Sequence, residues 1–299
     1  MTLHNKDKFN EFAKQHGIVS PASEKFNSIE DAENFLKNCA YPVIMKPVDC
    51  ADGKGVNRAE NFAEASKFLP LAFEYSKAGR IVIEPFITGS QHGFCTFLRD
   101  QKVVLCCSNN EYSVMNPYRV EIDTFPSDDF AENRDKLICI VEKIADILNL
   151  KDGIFHMQYI LQNGKIYILE VMRRVLGNLY FVPANLNLRG GDIEYWEARA
   201  RCGLSCQELQ PCLKSQGFHA YKCILSNRNG KIKNIVIPKE YEKYLIGEFW
   251  LKKIGDTVTH YATEFVGFLF FIFRSQEEMH SVLIDEYRTD LIITEEASI

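Results

Sequence analysis

Two apolar runs, Gly153–Leu161 (GIFHMQYIL) and Lys165–Met172 (KIYILEVM), are joined by Gln162-Asn163-Gly164. Asn-Gly between strand-like runs is a strong short-range hairpin signal, because both turn residues must accept positive φ. A hairpin this tight restricts which side chains can meet. Alternate residues on a strand share a face, and the spacing places Gln158 and Glu170 opposite each other or one pair apart. His156 and Met172 extend that face, and Arg174 follows just past the strand end. An inward Glu opposed by an amide, with arginines beside it, suits a hard cation bound to phosphate. A surface hairpin with polar cross-strand pairs explains the same residues.

The rest of the chain narrows the class. Its 299 residues leave room for two domains or one large one. A net charge of −5 argues against broad binding to nucleic acid or to an anionic membrane. The longest apolar run, VGFLFFIF at 266–273, has eight residues, whereas a membrane span needs about 20. The N-terminal MTLHNKDKFN has no apolar signal core. Cys106 and Cys107 lie inside a strand-like run, Cys95, Cys139 and Cys223 in similar settings, and Cys202, Cys206 and Cys212 lack paired CxxC spacing. These read as reduced, mostly buried thiols of a cytoplasmic protein and not as a zinc site.

Periodicity predicts helices over 6–16, 29–36, 61–75 (with Pro70 an obstacle), 131–150, 192–202 and 276–285. Strands are expected at 41–46, 80–84, 93–98 with 102–108, the hairpin above, and near 218–224, 231–236 and 266–273. Residues 109–128 read as irregular, and the acidic stretch 121–135 as a helix N-terminus that favours negative charge. Helices and strands mix without strict βαβ alternation. That favours an α+β fold with largely antiparallel sheet.

No phosphate-loop, zinc-protease or nucleophile-elbow signature occurs, and Gly53-Lys54-Gly55 lacks the third glycine of a dinucleotide fingerprint. Lys46, however, ends an apolar run and must reach solvent or an anion, since a buried unpaired ammonium is costly. The glycine-containing loop 49–56 that follows can offer backbone N–H groups to phosphate.

The order of these segments resembles the ATP-grasp family of carboxylate–amine ligases over nearly the whole chain. Asn5-Lys6, a helix and Gly17-Ile18…Pro21 resemble the family's opening segment, Pro42–Lys46 its second lysine strand, and Asp49–Val56 its phosphate-covering loop. Ile83–Gly89 (IEPFITG) resembles the hinge between lobes, and Gly153–Gln158 with Ile168–Gly177 the metal-binding and arginine segments. The resemblance implies two α/β lobes gripping a nucleotide: 1–86 as the N-terminal lobe, 87–204 as the C-terminal lobe with the metal hairpin, and 205–299 as a continuation of the core sheet. It implies Lys6 and Lys46 on ATP phosphate, with Gly53, Lys54 and Gly55 as a lid. The backbone of Glu84, Phe86 and Ile87 would read the adenine, and Gln91 would hold the ribose. Gln158 and Glu170 would bind Mg²⁺, with Mn²⁺ an alternative. Arg174, assisted by Arg173 or His156, would hold an acyl phosphate.

Two departures stand out. Gln158 replaces the family's usual Glu or Asp, and Met172 its usual Asn. Only Glu170 then brings charge to the metal. The small domain that precedes the first lysine in the family is also missing ahead of Lys6, which leaves room for a partner chain or homo-oligomer. The implied activity is amide formation from a small-molecule carboxylate and an amine through an acyl phosphate. A catalytically degenerate nucleotide-binding subunit and a bicarbonate-using, carbamoyl-phosphate-synthase-like enzyme are the alternatives. No nucleic-acid or membrane partner is expected.

Overall fold

A computed structural model describes residues 3, 5–51, 53–177, 179–189, 191–261, 263–285, 287 and 291–295. The chain opens with α1 (Lys6–Gln15), β1 (Glu24–Phe26), α2 (Ile29–Leu36), β2 (Val43–Pro47), β3 (Asn57–Ala59), α3 (Phe62–Tyr75) and β4 (Ile81–Pro85). It continues through β5 (Ser90–Arg99), β6 (Lys102–Tyr112), β7 (Ile122–Phe125), α4 (Phe130–Ile147), β8 (Gly153–Gln162) and β9 (Lys165–Met172). After these come α5 (Phe181–Asn187), α6 (Ile193–Arg201), β10 (Phe218–Ile224), β11 (Gly230–Ile235), α7 (Lys239–Glu242), β12 (Leu245–Trp250) and β13 (Thr257–Val258). The last elements are β14 (Gly267–Phe273), α8 (Gln276–His280) with a π-helical turn over Ser281–Asp285, and β15 (Ile292–Glu295).

The chain gathers into two compact units. One holds the residues up to His92 together with His156–Arg173, and the other Gly93–Phe155 with the residues from Arg174 onward.

In the first unit an antiparallel sheet runs β1-β4-β2-β3. Val43 and Met45 of β2 and Ile81 and Ile83 of β4 pack on Ala32, Leu36, Ala65, Leu69 and Ala72 of α2 and α3. Both helices begin at a side-chain cap, Ser28 accepting from the Asp31 amide and Asn61 from the Glu64 amide. The α3 helix runs through Pro70, which lies on its exposed side, because Leu69 and Ala72 are held in the core. Alternation leaves Ile44 and Lys46 on the other face of β2. Glu84 stands opposite Ile44 in the β2–β4 ladder, so it shares the face of Lys46. The α1 helix lies against that face: Asn10 reaches Glu84, and Asp7 meets Arg80 at 3.4 Å.

In the second unit the strand order is β12-β14-β10-β7-β6-β5, and β13-β11-β15 form a small separate sheet. Tyr221 and Cys223 of β10 point into a core with Ala184 and Leu188 against α5, while Ala220 and Ile224 point into another with Tyr241 and Met279. Residues 109–128 are more regular than the sequence suggests, since β6 extends to Tyr112 and β7 pairs with both β6 and β10. Glu121 and Asp123 therefore lie buried upstream of α4 and not at its N-terminus. The sequence also missed α5, α7 and the short strands β1, β3, β12, β13 and β15. Their apolar patterns are too brief to stand out. Cys139, expected inside, is exposed on α4, and all ten cysteines are free thiols. No described helix is long and apolar enough to cross a membrane.

Candidate active site

The hairpin β8–β9 turns through Asn163 and Gly164 at φ 50° and 76°, the left-handed pair a type I′ turn needs. Counting straight from Gln162↔Lys165 would set Gln158 against Leu169 and put Glu170 on the opposite face. The ladder instead slips by one residue: Tyr159 faces Ile168, but Gln158 faces Glu170. Leu169 is the extra residue of a β-bulge, and such a bulge re-aims the side chains beyond it. The expected meeting of Gln158 and Glu170 thus holds, although alternation alone would not have produced it. His156 is buried and stands opposite Met172, as expected.

Lys6, the first residue of α1, directs its ammonium to the Cys50 carbonyl at 2.8 Å and lies 3.4 Å from Glu170 Oε2. Lys46 Nζ donates to Glu84 Oε2 at 2.7 Å, and Asn10 Nδ2 donates to Glu84 Oε1 at 2.9 Å. Lys6 and Asn10 are one helical turn apart on α1, so these contacts tie both lysines, Glu84 and Glu170 into one neighbourhood of the first unit. The Glu84 carboxylate, buried at 3% exposure, and Asn10 were not singled out in the sequence. The signal for Glu84 was its odd charge in an otherwise apolar strand, IVIEP.

The residues expected to form the hinge, 83–89, belong to the same unit. The Phe86 amide donates to the Pro42 carbonyl at 3.0 Å, and the Arg58 guanidinium lies 4.1 Å over the Phe86 ring. Ile87 and Gln91 are half-buried. Thr88 accepts from Gln162 of the hairpin at 2.9 Å, and Gly89 lies so close to Leu161 that any Cβ would collide with its carbonyl oxygen. In the glycine loop, Lys54 is exposed and Gly53 accepts from the Val56 amide at 3.1 Å. Gly55 is packed: a Cβ there would sit 2.8 Å from Pro47 Cγ and 2.9 Å from Tyr75 Cβ. Asp52 of this loop lies outside the described residues. Arg173 is half-buried in the first unit, whereas Arg174 is exposed, belongs to the second, and donates to the Val175 carbonyl at 3.0 Å.

Among the described residues no group of three or more His, Cys, Asp or Glu could hold a metal ion. The amide of Gln158 and the carboxylate of Glu170 offer oxygen from facing positions. This donor pair fits a hard cation that takes its remaining oxygens from phosphate and water, not one caged by protein alone.

A family model for the phosphoribosylglycinamide synthetase ATP-grasp (A) domain matches residues 4–116. The N-terminal section of the carbamoyl phosphate synthase large chain of Methanopyrus kandleri is 26% identical over 224 residues, which is 73% of this chain and 39% of that protein. The chain spans less than half the length of the curated relatives it matches. Among solved structures, L-amino acid ligase from Bacillus licheniformis superposes with a TM-score of 0.77 at 19% identity, covering 98% of this chain and 73% of that one. The biotin carboxylase domain of Hydrogenobacter thermophilus 2-oxoglutarate carboxylase, solved with MgADP, gives 0.76 at 18% identity, covering 98% and 68%. The fold is therefore that of the ATP-grasp proteins. The sequence similarity over residues 4–116 is to an ATP-grasp domain, and the proteins matched include synthases, carboxylases and a ligase.

Proposed function

We propose that the chain carries the ATP-binding and phosphoryl-transfer part of a carboxylate–amine ligase. The observation that supports this most is the convergence of Lys6, Lys46, Glu84 and Glu170. In this reading Lys6 and Lys46 neutralise phosphate charge, and the Glu84 carboxylate fixes the Lys46 ammonium. With the Phe86 amide engaged by Pro42, the Phe86 carbonyl and the Ile87 amide are the hinge groups that meet the base. Gln91 holds the ribose, and the loop of Gly53, Lys54 and Gly55 covers the phosphates. Gln158 and Glu170 would hold Mg²⁺, which when bound offsets negative charge on the transferring phosphoryl group.

A substrate carboxylate oxygen attacks the γ-phosphorus and ADP leaves, giving an acyl phosphate. An amine then attacks the acyl carbon, phosphate departs and the amine loses a proton. Arg174, with Arg173 or His156, is assigned to the acyl phosphate, since a guanidinium binds such an anion bidentately. The similarity to carbamoyl phosphate synthase supports a second reading in which bicarbonate replaces the carboxylic acid. ADP release measured over a panel of carboxylates, amines and bicarbonate tests both. A carboxylate–amine pair that raises ADP formation supports the ligase, and bicarbonate dependence alone supports the second reading. ATP binding without turnover for any pair refutes catalysis and leaves a nucleotide-binding subunit.

A further inference from the structure

Lys6 and Lys46 hold their carboxylates in different ways. Lys46 Nζ donates to Glu84 Oε2 at 2.7 Å, and both side chains are nearly enclosed, at 13% and 4% exposure. Lys6 Nζ makes its hydrogen bond to the Cys50 carbonyl at 2.8 Å and stands 3.4 Å from Glu170 Oε2, beyond the usual length of a charge-assisted bond. Glu170 is 30% exposed, so this pair meets solvent. A contact so loose and wet is weak, and a stronger claim on either partner dissolves it. Lys46 is a fixed charge, and Lys6 an exchangeable one.

In the proposed function Glu170 serves two cations. Across the ladder stands Gln158, which brings oxygen but no charge. Among the described residues no group of three or more His, Cys, Asp or Glu adds to it. One negative charge is thus shared between an ammonium and a divalent ion. An ion bound to Glu170 Oε2 would lie at most about 5.5 Å from the Lys6 ammonium, the 3.4 Å contact plus a metal–oxygen bond of about 2.1 Å. Repulsion over that distance lowers affinity by about ten-fold even at the dielectric constant of water. Phosphate lifts the conflict, because its oxygens offer the ammonium another partner and bring the negative charge that the ion lacks.

We propose that Lys6 guards Glu170, holding off a divalent cation until a nucleotide phosphate draws the ammonium away, so that the site takes its metal with the nucleotide and not ahead of it. The proposal rests on the nucleotide reading above.

Calorimetric titration of the full chain with Mn²⁺ alone tests it, for wild type, Lys6→Met, Lys6→Arg and Lys6→Met combined with Glu170→Gln. Lys6→Met should bind Mn²⁺ about ten-fold more tightly than wild type. Lys6→Arg keeps the charge and should show no gain, and the double variant should lose the gain. Lys6→Ala supplies the same comparison if the methionine variant does not fold. A Lys6→Met affinity equal to or below that of wild type overturns the proposal, and so does a gain that survives without Glu170. ADP titrated with Mn²⁺ and with a chelator separates this result from the nucleotide reading. The increase in ADP affinity that Mn²⁺ brings should be about ten-fold smaller in Lys6→Met than in wild type, since the coupling between two ligands is reciprocal. An equal increase in both overturns the proposal while the nucleotide reading stands. A wild type that binds no ADP in either condition overturns both.

Discussion

Lys222 offers the sharpest physical test of the second unit. It lies on β10 between β7 and β14, opposite Ile122 and Leu269, and is 1% exposed. Its Nζ has no hydrogen-bond acceptor among the described residues and lies 3.6 Å from the centre of the Tyr287 ring. The Tyr287 hydroxyl donates to Glu121 Oε2 at 2.5 Å, and Glu121 Oε1 accepts from the amides of Met115 and Asn116. Burial lowers the Lys222 pKa from 10.5 to about 7, with the Glu121 charge opposing the shift. Below pH 7 the lysine is charged in folded and unfolded chains alike, and the folded state bears the full cost of the buried charge. Between about 7 and 10.5 the unfolded chain keeps a proton that the folded one has released, so stability rises with pH. The slope is about 1.4 kcal/mol per pH unit, and the whole interval amounts to at most about 5 kcal/mol. Lys222→Met keeps most of the volume and removes the charge. The variant should unfold at higher denaturant than wild type at pH 6, and the gap should close steadily toward pH 9.5. Wild-type and variant profiles that run parallel over that range would refute the assignment.

Other outcomes can be checked alongside. Lys46→Ala should weaken ATP binding in calorimetry, and unchanged affinity would remove its phosphate role. Glu84→Gln leaves the Lys46 ammonium, 13% exposed, without its counter-charge. It should cost about 3–5 kcal/mol in denaturant unfolding, as breaking a buried pair does. Glu170→Gln should abolish Mg²⁺-dependent ADP formation, and normal activity at low Mg²⁺ would contradict the ligand assignment. Gly55→Ala, at φ 71° and against Pro47 and Tyr75, should cost about 1–3 kcal/mol in the same unfolding assay.

The long elements were legible because their signals are local. The Ser28 and Asn61 caps, the Asn163-Gly164 turn and the Leu137–Val141–Ile144 stripe each act within a few residues. The site was only half legible. Lys6, Lys46, Gln158 and Glu170 stand in recognisable segments, but the partner that fixes Lys46 is 38 residues away in the chain, and Asn10 is 74 from Glu84. No local pattern encodes such pairings. The bulge at Leu169 did leave a trace. Apolar positions run Ile166, Ile168 and then Val171, a slip in alternation that strict counting overlooks. The packing of Gly55 against Pro47 and Tyr75 left none, since a glycine in a polar loop looks the same whether it bends freely or is wedged.

The amide at position 158 has a bearing on how the hairpin holds itself together. A carboxylate there would confront Glu170 directly across the ladder, and two like charges so placed push strands apart until a counter-ion arrives. With glutamine the two strands carry no such quarrel. Their register rests on the turn, the backbone ladder and buried side chains such as Tyr159, Ile168 and Val171, so stripping divalent ions from solution gives this ribbon no cause to unzip.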